Sequence, residues 1–119
     1  MDILGKMAKF IELIMSDTFR KVYNSDLMRY KGHPGGYVRV FLFLLRKAQY
    51  SSSISKQFWK ILFRLHSQRR GIEISPMTKI GRGFYMGHAY NITINPAAVV
   101  GDNCNIHKGV LIGQTNRGA

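Results

Sequence analysis

Gly71-Ile72-Glu73-Ile74-Ser75-Pro76-Met77-Thr78-Lys79-Ile80-Gly81-Arg82-Gly83-Phe84-Tyr85-Met86-Gly87-His88 is the stretch that decides the fold. Its large apolar residues Ile74, Ile80 and Met86 stand six apart, and so do Ile94, Val100, Ile106 and Ile112 further on. The step from Met86 to Ile94 is eight, so two residues are inserted there. An α-helix cannot sustain a period of six, and a plain strand repeats every two residues. Short strands joined by tight corners, three to a coil, account for the pattern, which is that of a parallel β-helix. The large residue of each repeat fills the interior. The position two before it is compact or β-branched (Thr78, Ile92, Ala98, Cys104, Val110) and fits beside it. Gly81, Gly87, Gly101 and Gly113 follow the large residues and are expected to serve corners that require a positive φ.

Before Gly71 the spacing is helical. Ile3, Met7, Phe10, Ile11 and Ile14 share one face, and Ser16-Asp17 can cap a second helix carrying Phe19, Val22, Tyr23, Leu27 and Tyr30. Gly32-His33-Pro34-Gly35-Gly36 is a break. A helix is expected from Tyr37 to Ala48. Another, opened by the serines at 51–53 and 55, runs to about Gln68, with Phe58, Ile61, Leu62 and Leu65 inward. The fold class is therefore α+β, with a helical region over 1–70 and an incomplete hexapeptide-repeat β-helix over 71–119.

The chain has 119 residues and a formal net charge of +12. Residues 1–70 hold fourteen Lys/Arg against four Asp/Glu. Such asymmetry marks a surface that meets polyanions. No helix-turn-helix, zinc-finger or base-stacking motif accompanies it, which argues against nucleic acid as the partner. Lys56, Lys60 and Arg64 form a basic stripe beside Trp59 and Phe63. Either the aromatics pack on a partner chain and the charges are solvated, or the helix makes peripheral contact with a membrane surface. The longest strongly apolar run, Val40 to Leu45, is far short of the roughly 20 residues that span a bilayer. One cysteine, no intramolecular disulfide and no signal peptide point to the cytoplasm. Cys104 has no companion spacing for a metal and is expected in the core. His33 and His66 are expected to be structural or exposed.

Gly71-Ile72-Glu73-Ile74-Ser75-Pro76, Lys79-Ile80-Gly81-Arg82-Gly83, Gly87-His88-Ala89, Val100-Gly101-Asp102-Asn103 and Gly113 closely resemble the serine acetyltransferases. Those enzymes are members of the hexapeptide-repeat acyltransferases and read G-I-D-I-H-P, K-I-G-R-G, D-H-A-T-G, I-G-D-N and G-G-T there. The resemblance covers 71–119. It implies a left-handed β-helix, a trimer-based homo-oligomer, acetyl-CoA as co-substrate with no metal, and a small-molecule acceptor bearing a hydroxyl. It implies His88 as general base and Glu73, at the family's aspartate, as the carboxylate that orients it. Glu73 also has the plainer reading of a solvated charge. Residues 73 and 88 are fifteen apart, close to one coil, so neighbouring coils are expected to bring them together. His107 follows inward-pointing Ile106 and is expected to turn outward, although other hexapeptide acetyltransferases use a histidine from a later coil. Gly87 replaces the family's aspartate, removing a counter-charge for an ammonium group, so a polysaccharide sugar hydroxyl rivals L-serine as acceptor. In the family more coils follow Gly113, with most of the coenzyme A groove. The chain is therefore expected to be C-terminally truncated. No coenzyme A residues can be assigned, and a non-catalytic fragment that assembles with other subunits is an alternative.

Overall fold

The computed structural model describes residues 3–113. Three helices come first: α1 (Ile3–Met28), α2 (Gly36–Gln49) and α3 (Ser53–Gln68). Seven short strands follow: β1 (Glu73–Ile74), β2 (Lys79–Ile80), β3 (Tyr85–Gly87), β4 (Thr93–Ile94), β5 (Val99–Val100), β6 (Asn105–His107) and β7 (Leu111–Ile112). The chain is thus α+β.

The strands pair in parallel as β1-β4-β7, β2-β5 and β3-β6, each with the third strand along. Three faces therefore recur in rotation, as at the start of a β-helix. The first coil is twenty residues (Glu73 opposite Thr93) and the next eighteen (Thr93 opposite Leu111), so the two inserted residues fall within the first. Ile74, Ile80, Met86, Ile94, Val100 and Ile106 are all buried in the interior. Thr78 and Ile92 are buried beside them, and Ala98, Cys104 and Val110 are partly buried against the same core. That core is continuous with Phe41, Leu42 and Leu45 of α2 and Phe63 of α3.

Three sequence expectations are corrected. Ser16-Asp17 caps nothing, and α1 runs straight through it. The Asp17 carboxylate instead pairs with Arg20 and Lys21, one turn ahead, which supports a continuing helix. α3 is turned relative to expectation: Phe58, Ile61 and Leu65 face solvent, whereas Phe63 is buried and Trp59 packs edge-on against Phe43. The helix has two apolar faces. α2 takes the aromatic one, with Phe41 and Phe63 rings 5.0 Å apart. Third, the glycines after the large residues do not sit at positive φ; Gly71, Gly83 and Gly109 do. Gly81 and Gly87 are required by close approach instead. A Cβ at Gly81 would lie 2.7 Å from the Asp102 backbone nitrogen in the coil above.

The first coil lacks a preceding coil to satisfy its open backbone edge. Side chains of α1, of the turn that follows it and of α2 serve that purpose. Arg46 donates to the carbonyls of Ile80 (2.9 Å) and Gly81 (2.7 Å), and Gln49 donates to that of Thr78 (3.2 Å). Phe84 N–H donates to Asp26 Oδ1 (2.9 Å), Gly83 N–H to Ser25 Oγ (3.2 Å) and Met86 N–H to the Tyr30 hydroxyl (2.6 Å). Arg46 and Asp26 are themselves paired at 2.7 Å with both side chains fully buried. This pair is a bolt between α1, α2 and the first coil. Buried charges persist only when paired and hydrogen-bonded, and here both ions are.

Candidate functional site

His88 follows β3 at the corner leading into β4. Its side chain is exposed and its φ is +48°, a left-handed value uncommon outside glycine. A strained backbone at an exposed histidine is a feature from which a functional role can be argued. The corner is held by its own backbone: Tyr90 N–H donates to the His88 carbonyl (2.7 Å), and Asn91 N–H to that of Arg70 (2.9 Å). The Arg70 guanidinium sits over both Tyr37 (4.1 Å) and Tyr90 (4.5 Å) and ties the end of the helical region to this corner. Burial raises the Tyr37 hydroxyl above the ordinary phenol range, which keeps it neutral as a donor to the His66 carbonyl (2.9 Å). His66 returns the contact: its ring stacks on Tyr37 at 4.1 Å, and its Nε2 meets the Tyr37 carbonyl at 2.9 Å. It is a structural histidine, and His33 is exposed.

Glu73 lies on β1, exposed, one coil below Thr93. The corner that carries His88 runs into the strand that pairs with Glu73, but among the described residues neither side chain has a hydrogen-bond or ion-pair partner. Glu73 lines a cleft of about 800 Å³ between α3 and the β1-β4-β7 face, with Lys60, Arg64, Thr93, Asn95 and Leu111. His88 is not among the residues lining that cleft.

The residue before His88, Gly87, is covered by His107. Gly87 and His107 are register partners on β3 and β6. A Cβ at Gly87 would lie 2.2 Å from His107 Nδ1, so the imidazole occupies the space a side chain at 87 would need. His107 is exposed, as alternation predicts, and meets the Tyr85 ring edge-on at 6.3 Å. Tyr85 stacks on Tyr30 at 4.6 Å and lies 5.7 Å from the Arg29 guanidinium. Arg29 also bonds the Gly83 carbonyl (3.1 Å) and Asn105 Oδ1, spanning two coils. The juxtaposition of Gly87 with His107 was available in the sequence: one coil plus the two inserted residues separates them. Cys104 is half-buried against the core. Among the described residues no group of three His, Cys, Asp or Glu is placed to hold a metal ion, and no helix is long and apolar enough to cross a membrane.

No protein-family model matches the chain, and no solved structure matches it significantly. Curated relatives do. The serine acetyltransferase of Synechococcus elongatus is 34% identical over 58 residues, which is 49% of this chain and 24% of that protein. The chloroplastic serine acetyltransferase 1 of Arabidopsis thaliana is 41% identical over 51 residues, 43% of this chain and 16% of that protein. The serine acetyltransferase of Helicobacter pylori is 40% identical over 47 residues, 40% of this chain and 28% of that protein. The chain spans between 16% and 28% of the length of these relatives. Within that local region, the chain is serine acetyltransferase-like.

Proposed function

We propose that this chain is part of an acetyl-CoA-dependent O-acetyltransferase. Its acceptor is the hydroxyl of L-serine or a related small molecule, and its coils wind left-handed in a trimer-based homo-oligomer in the cytoplasm. The observation that carries the reading is the local likeness to several serine acetyltransferases. Residues 1–70 form its helical unit and 71–119 its hexapeptide unit. In the reaction the acceptor hydroxyl oxygen attacks the thioester carbonyl while His88 takes its proton. The thiolate then leaves and recovers that proton from the imidazolium. Histidine suits this exchange because its unperturbed pKa lies near neutrality. Glu73 orients the base in this reading, as the carboxylate does in a serine-histidine-aspartate triad. The exposed imidazole of His88 on its strained corner supports its role. Gly87, with His107 above it, favours a sugar hydroxyl as the rival acceptor, because position 87 carries no acid to receive an ammonium group.

The coverage of about a quarter of the relatives favours a second reading, a non-catalytic module that assembles with other subunits. Thiol release from acetyl-CoA separates the two. The assay is run on the 119-residue chain and on a chimera in which its matching segment replaces that of the Synechococcus enzyme. Turnover by the chimera that falls at least about 10²-fold in His88→Ala, and less in Glu73→Gln, is the expected outcome. A His88→Ala chimera that keeps most of its turnover removes His88 from the role. The chain alone is expected to show little or no turnover.

A further inference from the structure

The outer face of α3 has no partner among the described residues. Ile54, Phe58, Ile61 and Leu65 recur at steps of four, three and four, so they line one stripe, and they are 87%, 56%, 60% and 59% exposed. The same helix already buries a different face, Trp59 and Phe63, against α2. A contiguous apolar stripe left in water marks an interaction surface rather than an accident of composition.

Charge decides what covers it. Lys60 and Arg64 stand on the cleft side of the stripe, and among the described residues neither side chain has a hydrogen-bond or ion-pair partner. From Leu27 to Ile72 the sequence holds no Asp or Glu at all. Of the two carboxylates near this region, Asp26 is consumed by Arg46, and Glu73 stands across the cleft with no ion pair to Lys60 or Arg64 among the described residues. A second copy docked here through the same region would set unpaired cations against unpaired cations. A nucleic acid would answer the charge but offers no apolar phase for Ile54 and Leu65. An anionic lipid surface supplies both: phosphates for Lys60 and Arg64, and an acyl boundary for the stripe.

We infer that α3 docks the protein on an anionic membrane surface through Ile54, Phe58, Ile61 and Leu65, with Lys60 and Arg64 on the headgroups. Phe63 takes no part, being buried, and half-buried Trp59 packs edge-on against Phe43. The inference does not depend on the acetyl-transfer reading, and its assay does not measure catalysis.

The test is co-sedimentation of the 119-residue chain with phosphatidylglycerol-containing vesicles and with pure phosphatidylcholine vesicles. The expected result is binding to the former alone, falling with added salt. Phe58→Gln with Ile61→Gln, and separately Lys60→Gln with Arg64→Gln, should each lower partitioning by about tenfold or more, at unchanged helical circular dichroism. Phe10→Gln with Ile14→Gln, on the exposed part of α1, should leave it within about twofold. Three results overturn the inference. One is no binding to anionic vesicles at low salt. Another is binding that survives loss of the stripe, or is lost only with the α1 variant. The third is a fall in sedimenting mass of the free protein when the stripe is changed, which makes the stripe a subunit contact.

Discussion

At the scale of single residues, the glycines carry the sharpest consequences. Gly81 and Gly87 are both crowded from the coil above, but by different things. The obstacle at Gly81 includes backbone, the Asp102 nitrogen at 2.7 Å and the Gly101 carbonyl carbon at 2.8 Å. The obstacle at Gly87 is the His107 ring, which can rotate away. Gly81→Ala should therefore cost about 2–3 kcal/mol, the upper part of the overpacking range, and Gly87→Ala about 1 kcal/mol. Adding His107→Ala should restore most of the second loss and none of the first; urea midpoints of the four variants check this. Tyr30 gives a pH dependence. Burial pushes its hydroxyl up to about 12 from an ordinary 10.0. The folded state thus holds the neutral phenol while the unfolded state ionises first. Its contribution is complete below pH 10 and is lost as the pH rises towards 12. The urea midpoint should fall across that window, and fall less in Tyr30→Phe.

At the scale of elements, Arg46 and Asp26 join parts that are distant in sequence. Removing one partner leaves the other charge buried and alone, and also frees the Ile80 and Gly81 carbonyls or the Phe84 N–H. Arg46→Met and Asp26→Leu should each destabilise by about 3–5 kcal/mol in chemical denaturation. The double replacement should recover only part, because those backbone groups stay unsatisfied. The strands were legible in the sequence because Ile74, Ile80, Met86, Ile94, Val100 and Ile106 each obey one geometric rule, the period of a three-strand coil. Which face α3 buries was not. Its periodicity supports both the Phe58–Ile61–Leu65 face and the Trp59–Phe63 face, and only the position of Phe41 and Phe43 on α2 chooses between them. Nor was the bolt legible. Arg46 sits at the end of an apolar run, and Asp26 twenty residues earlier, with no spacing that joins them. At the candidate site, His88 was found through a motif. The position of His107 over Gly87 follows from coil length, but it matters only once side-chain space is known.

At the scale of the whole molecule, the helical region closes one end of the stack. Unpaired strand edges invite association between chains, and native proteins cover them. Here Arg46, Gln49, Asp26, Ser25 and Tyr30 occupy the lower edge of the first coil, while among the described residues β5, β6 and β7 present the other. Replacing Gln49 and Ser25 with Ala, which leaves the buried ion pair in place, should expose the Thr78 carbonyl and the Gly83 N–H. Light scattering at rising concentration should then show more self-association than the parent protein, and thioflavin fluorescence should report strand-to-strand joining. The same contacts do something more for the coils above. Each binds a particular backbone atom, so the first coil can be laid down in only one phase: a slip of one residue would turn Ile80 and Met86 outward and break every one of these bonds together. Parallel ladders copy phase from one coil to the next, Lys79 to Val99 and Tyr85 to Asn105. The helices are thus the origin from which the repeat is counted, and a register error made there would be inherited by each coil built on it.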